Sequence, residues 1–362
     1  PTPSKFDGMG AFPGPGGRTI LIRNHENDRD PGEIPVVVPE GLRWDPNPAR
    51  RAGCTRLVVG PDRVVEASRA VLGGTTTNCA GGVMPWGSWI TCEESLGKVG
   101  HPHGYIFEVP AGTTGPVAAV PVRQAGRFVH EAVAWHRGAL YETEDRRGNA
   151  VLYRYVPRAT PTRPGELAAG AGTLQALRVP GRPNLDTRRG WPVGSRFDVG
   201  WVTITDPDPA GADSCSGEAR DKGAARFART EGIWAANGRV VFDCTEGGAA
   251  GLGQIWELDP AARSLRLLYE SPDKGSLAHP DNLTMSSGGH LLLCENAPGG
   301  PQRIRGLTPD GRVYEFALAH GRRSEFAGVC FDAVSQTLFA NQQGRPGEPG
   351  VTYAIWGPWA PA

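Results

Sequence analysis

Six times along this chain a short apolar strand runs into acidic or amide residues: ILIRNHEN (20–27), WITCEES (89–95), ALYETED (139–145), VVFDCTE (240–246), LLLCEN (291–296) and LFANQQ (338–343). Turn signals stand just upstream of most of them (GGR, WGS, HRG, NGR, SGGH), so each reads as the second strand of a hairpin. Five are preceded by a matching opening that starts polar or small and turns apolar: NCAGGVMPW (78–86), HEAVAWH (130–136), TEGIWAAN (230–237), DNLTMSS (281–287) and FAGVCFD (326–332). The unit recurs roughly every 50 residues where nothing is inserted, a period that suits propeller blades. Six units predict an all-β, six-bladed β-propeller.

The largest gap between units, Pro157 to Arg229, is rich in Pro, Gly and Arg and is expected to be an insertion within a single propeller domain spanning 1–362. A linker between two domains is the competing reading, but the same repeat resumes afterwards. The terminal stretch TYAIWGPW (352–359) is expected to close the ring against the N-terminal segment.

Composition excludes several classes. The chain has 51 Gly and 33 Pro, yet its apolar residues are spread throughout and include 10 Trp, as in a turn-rich folded protein. With 38 basic and 38 acidic residues there is no global field to attract nucleic acid or anionic lipid, so an anionic substrate must be caught locally. No apolar run is long enough to span a bilayer, and Pro1 to Gly17 contains no leader-like apolar segment. The seven cysteines are scattered with no CxxC pair, which suggests neither a zinc ribbon nor a full disulfide framework. A monomer acting on a small molecule is expected.

In a hairpin the start of the first strand lies beside the end of the second, so polar openings and acidic endings come to one edge. In a propeller the first strands line the axis, and these edges converge on one mouth of the channel. Cys79, Glu131, Glu231 and Asp281 or Asn282 are expected around that mouth, with Glu93, Glu94, Glu144, Asp145, Glu246 and Glu295 close behind. So many carboxylates repel strongly unless cations neutralise them or most take up protons, and metal ions are the economical solution. Oxygen ligands suit Ca²⁺, whereas a thiolate points to a transition metal such as iron.

Any one of these acids taken singly reads more simply as a solvated turn residue; it is their repetition that argues for a site. Cys92, Cys244 and Cys294 lie within alternating strands and read as packing. His25 and His130 are candidates for the surrounding shell. Arg229 lies two positions before Glu231, on the same face of an extended segment, and is expected to present a fork to an oxyanion.

The stretches LIRNHEN, NCAGGVMPWGSWITCEES, HEAVAWH with LYETEDRRG, RTEGIW, DNLTM with LLLCEN, and EFAGVCFD with LFANQQG resemble the PhoX-type alkaline phosphatases over most of the chain. The resemblance implies two irons and several calcium ions in a six-bladed propeller that hydrolyses phosphomonoesters. By motif, Cys79 matches the family's iron-binding cysteine, the acids of TCEES, HEA, YETED and TEG match its metal ligands, and Arg229 matches its phosphate-contacting arginine. The family also places a lysine upstream of the cysteine for substrate. Here that neighbourhood reads EASRAVLGGTTTNC, which leaves Arg69 as the basic residue. A periplasmic or extracellular setting is likewise implied by the resemblance. Two other functions compete: a lactonase-type propeller hydrolase, which needs one Ca²⁺ and no thiolate, and a partner-binding propeller in which calcium serves only structure.

Overall fold

In the computed structural model the strands form six antiparallel sheets around one axis, a six-bladed β-propeller. The structure describes every residue except 29, 31, 98–99, 211–213, 323, 333, 346–348 and 358–362. Blade 1 comprises β1 (Phe6–Pro13), β2 (Thr19–His25), β3 (Ala52–Val59) and β4 (Val65–Thr75), and blade 2 comprises β5 (Asn78–Met84), β6 (Ser88–Glu93) and β7 (Ile106–Pro110). Blade 3 contains β8 (His130–His136), β9 (Ala139–Glu144), β10 (Tyr153–Pro157) and β11 (Gly172–Arg178). The chain then gives β12 (Arg196–Asp198) to the outer edge of blade 4 and returns β13 (Gly200–Thr203) to blade 3. The rest of blade 4 is β14 (Thr230–Ala236), β15 (Arg239–Cys244), β16 (Gln254–Asp259) and β17 (Ser264–Glu270). Blade 5 follows with β18 (Pro280–Met285), β19 (Leu291–Glu295), β20 (Arg303–Leu307) and β21 (Val313–Leu318), and blade 6 with β22 (Phe326–Phe331), β23 (Leu338–Gln342) and β24 (Val351–Ile355).

The local causes are visible in the turns. Arg137-Gly138 joins β8 to β9 and Asn237-Gly238 joins β14 to β15, each with positive φ at both positions, the tight turn whose twist matches that of a hairpin. Strands such as β19 (LLLCE) are buried at every position because neighbouring blades cover both faces. The cores lie between blades. Leu152, Phe227, Phe242 and Trp256 fill one such space, and Leu292, Ile304, Phe326 and Leu338 fill another.

The stretch 157–229, expected as an insertion, is interleaved with the blades: β11 and β13 within it belong to blade 3 and β12 to blade 4, and its loops and the short helices α1 (Glu166–Ala169) and α2 (Cys215–Asp221) are added to them. The last strand does not pair with the N-terminal segment. β24 pairs with β23, and the ring closes through side chains, with Met9, Leu21 and Leu57 packed on Cys330 and Phe339. Residues 358 and 359 of TYAIWGPW lie outside the described residues. No helix of the described residues is long and apolar enough to cross a membrane.

Inner strands of adjacent blades touch through their backbones, which explains the glycines of the openings. A Cβ at Gly82 would lie 2.0 Å from Val133 O, and one at Gly328 (φ +60) would lie 2.3 Å from Asp7 O. Gly82→Ala is therefore expected to destabilise the fold by about 2 kcal/mol or more, measured by urea unfolding. A change below about 0.5 kcal/mol, the scale of an ordinary surface substitution, would show that the blades are not in this contact.

Candidate metal centre

Each of the six inner strands carries one extra residue against its partner near its start, after the first pair in five of them and after the second in blade 6. The register shifts fall between Phe6 and Met9, Asn78 and Gly81, His130 and Val133, Thr230 and Ile233, Pro280 and Asn282, and Ala327 and Cys330. A one-residue bulge re-aims the side chain that it carries. In five blades that side chain is Asp7, Cys79, Glu131, Glu231 or Asp281; in blade 6 the shift falls over Gly328 and Val329, which carry no acid, and Glu325, just before β22, supplies it.

The second strands contribute through the residue just past the last pair. His25 pairs with Phe6, Glu93 with Asn78 and Glu144 with His130, so the next residues, Glu26, Glu94 and Asp145, turn toward the mouth. Eight side chains then form three groups whose donor atoms lie within 4.8 Å of one another: Glu26, Cys79 and Glu94; Asp7, Glu26 and Glu325; Glu131, Glu231 and Asp281. Cys79 Sγ stands 3.7 Å from Asp7 Oδ1. Gln343 Nε2 donates to Asp7 (2.9 Å) and to Glu26, and Asn296 Nδ2 donates to Asp281 (3.2 Å), so amides as well as cations support these acids.

The site is poorly balanced as a set of protein groups alone. Burial first, and then the neighbouring carboxylates, push Asp7, Glu94, Glu131, Glu231 and Glu325 well above the usual carboxylate range. Glu26 and Asp281 are raised for the same leading reason. Burial and the fields of Asp7, Glu131, Glu94 and Glu26 likewise push the Cys79 thiol up. Both carboxylate oxygens of Glu131 are buried without a hydrogen-bond partner, an arrangement that costs free energy unless something else occupies that space. Seven carboxylates and a thiol with orphaned oxygens at their centre are a donor set that fits cations.

Side-chain cations, Arg229 and Lys5 among them, border the ring. Arg229 Nε and Nη2 each lie 2.8 Å from the two oxygens of Asp145, and Nη2 is 2.9 Å from Glu231 Oε1. Lys5 Nζ lies 3.6 Å from Glu33 and 4.0 Å from Glu26. Both residues immediately precede an inner strand and both have positive φ (53° for Arg229, 47° for Lys5), as do Thr77 and His279 in the same place in blades 2 and 5. Non-glycine residues adopt this conformation only at a cost, and such strain gathers at functional sites.

Of the residues expected from sequence, the structure brings together Cys79, Glu94, Glu131, Glu231, Asp281, Asp145 and Arg229. Others are placed elsewhere. Glu93 points away from the mouth, where its oxygens accept from Thr76 N (3.1 Å), Gly104 N (2.9 Å) and Tyr105 N (3.3 Å) and contact His103 Nδ1 (2.7 Å). Glu144 accepts from Val151 N at 3.1 Å, and burial pushes it up to about 7. Glu295 binds Ala278 N (2.9 Å) and Arg305 (3.0 Å). These three precede the inward-turned position by one residue, and neighbours on an extended strand face opposite ways.

Asn282 Oδ1 accepts from Val329 N (3.0 Å) and ties blade 5 to blade 6 instead of facing the ring. Arg69 is corrected outright: it lies on the outer strand β4, paired across from Arg56 and bonded to Thr114 O, so it cannot reach a phosphate in the channel. His25 lies in the blade interior between Ser4 O (2.7 Å) and Thr55 Oγ1 (2.8 Å), and His130 lies between Gly104 O (3.1 Å) and Glu142 (3.2 Å). Glu246 sits at the rim, 2.8 Å from Arg147. All seven cysteines are buried thiols.

The sequence reading missed Asp7, Glu26, Glu325 and Lys5. A signal for Asp7 exists, since Asp7-Gly8 matches Glu231-Gly232.

Comparison with known proteins places these observations. A family profile described as Alkaline phosphatase PhoX matches residues 49–347. No curated protein matches the chain. Among solved structures, Pseudomonas fluorescens PhoX in complex with vanadate, a transition state analogue, is similar at 18% identity with a TM-score of 0.68, over 94% of this chain and 84% of that one. A gluconolactonase from Xanthomonas campestris is more loosely similar, at 14% identity and a TM-score of 0.42, over 98% of this chain and 97% of that one.

Proposed function

The chain belongs to the alkaline phosphatase PhoX family and is a phosphoric ester hydrolase, and from that premise we propose that it cleaves phosphomonoesters at an iron and calcium cluster in the channel mouth. The observation that carries this reading is the meeting of one thiol and seven buried or half-buried carboxylates from all six blades. Glu26, Cys79 and Glu94 would hold iron, because thiolate is a poor calcium ligand, while the all-oxygen groups Asp7, Glu26, Glu325 and Glu131, Glu231, Asp281 suit calcium. Bound there, the ions would supply Lewis-acid polarisation of the phosphoryl oxygens.

The chain's own residues supply position and charge. Asp145 holds one edge of the Arg229 guanidinium through Nε and Nη2, and among the described residues Nη1 has its nearest carboxylate, Glu246, only at 3.9 Å. That third nitrogen is the one available to a phosphoryl oxygen. Lys5 borders the ring from blade 1 and adds a second positive charge at the mouth. No side-chain nucleophile is required. The vanadate bound by the Pseudomonas fluorescens protein supports a phosphoryl-transfer reading of the shared channel.

Cys79→Ala tests the proposal. Iron content should fall, and p-nitrophenyl phosphate turnover should drop by about 100-fold or more, the upper end of what losing even an outer-shell metal partner costs. Unchanged iron and unchanged turnover would overturn it, and a purified protein that holds calcium but never iron would favour the lactonase-type reading.

A further inference from the structure

Among the described residues, two arginines beside the ligand ring have no carboxylate within ion-pair distance. Arg146 follows Asp145 in the chain, and Arg220 lies in α2, in the segment that links β13 to β14. Both are half-buried, and with Leu96, Val129, Ser214 and Cys215 they line a cleft of about 670 Å³. Among the described residues neither comes within 4.0 Å of a carboxylate oxygen. Arg220 Nη1 is buried with no hydrogen-bond partner, and Arg146 Nη1 reaches only the hydroxyls of Ser214 (3.1 Å) and Ser216 (2.5 Å). Other part-buried arginines are matched: Arg188 by Asp186, Arg305 by Glu295 and Arg229 by Asp145.

The acids near the cleft do not fill this need. Glu218 is occupied by the backbone N–H groups of Thr205 (2.7 Å) and Asp206 (3.1 Å) and by Lys222 (2.5 Å). Asp206 and Asp221 are exposed residues at the outer edge. Glu144 stays beyond ion-pair distance of both arginines: their fields pull its buried carboxyl down against the larger effect of burial, and one of its oxygens is committed to Val151 N.

The cleft also adjoins the site. Asp145 N donates to Val129 O (3.1 Å) and Arg229 N to Arg146 O (3.4 Å), so the cleft wall and the residues that hold the Arg229 guanidinium are one piece of backbone. Leu96 follows Glu94 by two residues, which places the cleft against the ring between blades 2 and 3.

We propose that this cleft is a second anion subsite and that the preferred substrates are phosphomonoesters carrying a further carboxylate or phosphoryl group. The inference rests on the reading of the channel mouth as the phosphatase centre: the ester phosphate sits at the ring and Arg229, and the second anion reaches Arg146 and Arg220. A charge-assisted bond to a part-buried guanidinium corresponds to about a tenfold gain in affinity or more.

Calorimetric titration of the metal-loaded protein with three non-hydrolysable ligands tests it: propylphosphonate, 3-phosphonopropionate and propane-1,3-bisphosphonate. At least one ligand with an anionic tail should bind about tenfold tighter than propylphosphonate, and whichever gains more identifies carboxylate or phosphoryl as the preferred group. In Arg220→Ala, and separately in Arg146→Ala, that ratio should collapse toward one; if the first fails to fold, Arg220→Gln removes the charge and keeps the stem. A wild-type ratio near one, or a ratio unaffected by both substitutions, overturns the subsite. Wild-type turnover of p-nitrophenyl phosphate, followed in parallel, tests the parent reading. Tail-dependent binding without turnover would retire the phosphatase centre and leave the subsite standing, whereas turnover with a flat ratio would do the reverse.

Discussion

Replacing Arg229 by alanine is expected to lower kcat/KM for p-nitrophenyl phosphate by about 10²–10³-fold, the scale seen when one preorganised donor to a developing charge is removed. The side chain is 21% exposed and held at three points, by both oxygens of Asp145 and by Glu231, so little ordering is left for the moment of reaction. Burial works against its charge, but the bonds to Asp145 and the fields of Glu231, Asp145 and Asp281 outweigh that and keep it protonated well beyond the usual arginine range. Arg229→Lys should recover only part of the loss, because an ammonium cannot hold Asp145 with two nitrogens and offer a third to the substrate. Metal content, read by elemental analysis, should stay at the wild-type level in both variants. A loss of less than about threefold, well below that of a removed oxyanion donor, would take Arg229 out of the reaction.

Stripping the metals with a chelator should make stability fall as pH rises. Asp7, Glu94, Glu131, Glu231 and Glu325 have folded-state values well above those of an unfolded chain, and Glu26 and Asp281 are raised as well. Between about pH 4, where such groups titrate in the unfolded chain, and the raised folded values, the native state holds more protons than the unfolded state. The stabilisation from these protonated acids is complete below that window and is lost as pH climbs through it. Between pH 5 and pH 8 the Tm of the stripped protein should therefore drop by at least about 5 °C, given the unfolding entropy of a chain this long. The loaded protein should instead hold level or gain, because ligands must be deprotonated to bind metal. Parallel Tm profiles for the two forms would show that the acids are not a metal-binding set.

The ring could be read from sequence only as a zone, and the reason is visible in adjacent residues. TCEES and YETED announce acids at a strand end, but choosing Glu94 over Glu93, or Asp145 over Glu144, depends on strand parity at that point. Parity in turn depends on where the last pair of the ladder falls. A one-residue bulge shifts the alternation by one position, but so near a strand's start too few residues precede it for the slip to show, so the five bulges that aim Asp7, Cys79, Glu131, Glu231 and Asp281 inward are not legible in the pattern. Arg69 shows the opposite failure. The family resemblance, which places a basic residue upstream of the cysteine, points to Arg69, yet a propeller sends successive strands outward, and ten residues separate an outer strand from the axis.

The sequence by itself determined the blade count, the all-β architecture and the rim that carries the acids, because these follow from repetition and from turn residues that act locally. Tertiary structure alone decided which acids meet, that Lys5 and Arg229 border them, and that Arg146 and Arg220 stand beside them with no carboxylate within ion-pair distance among the described residues. Those facts arise where six separate strands are brought to one axis and the loop between blades 3 and 4 folds back over the rim. No local preference of any single blade encodes the distances between them.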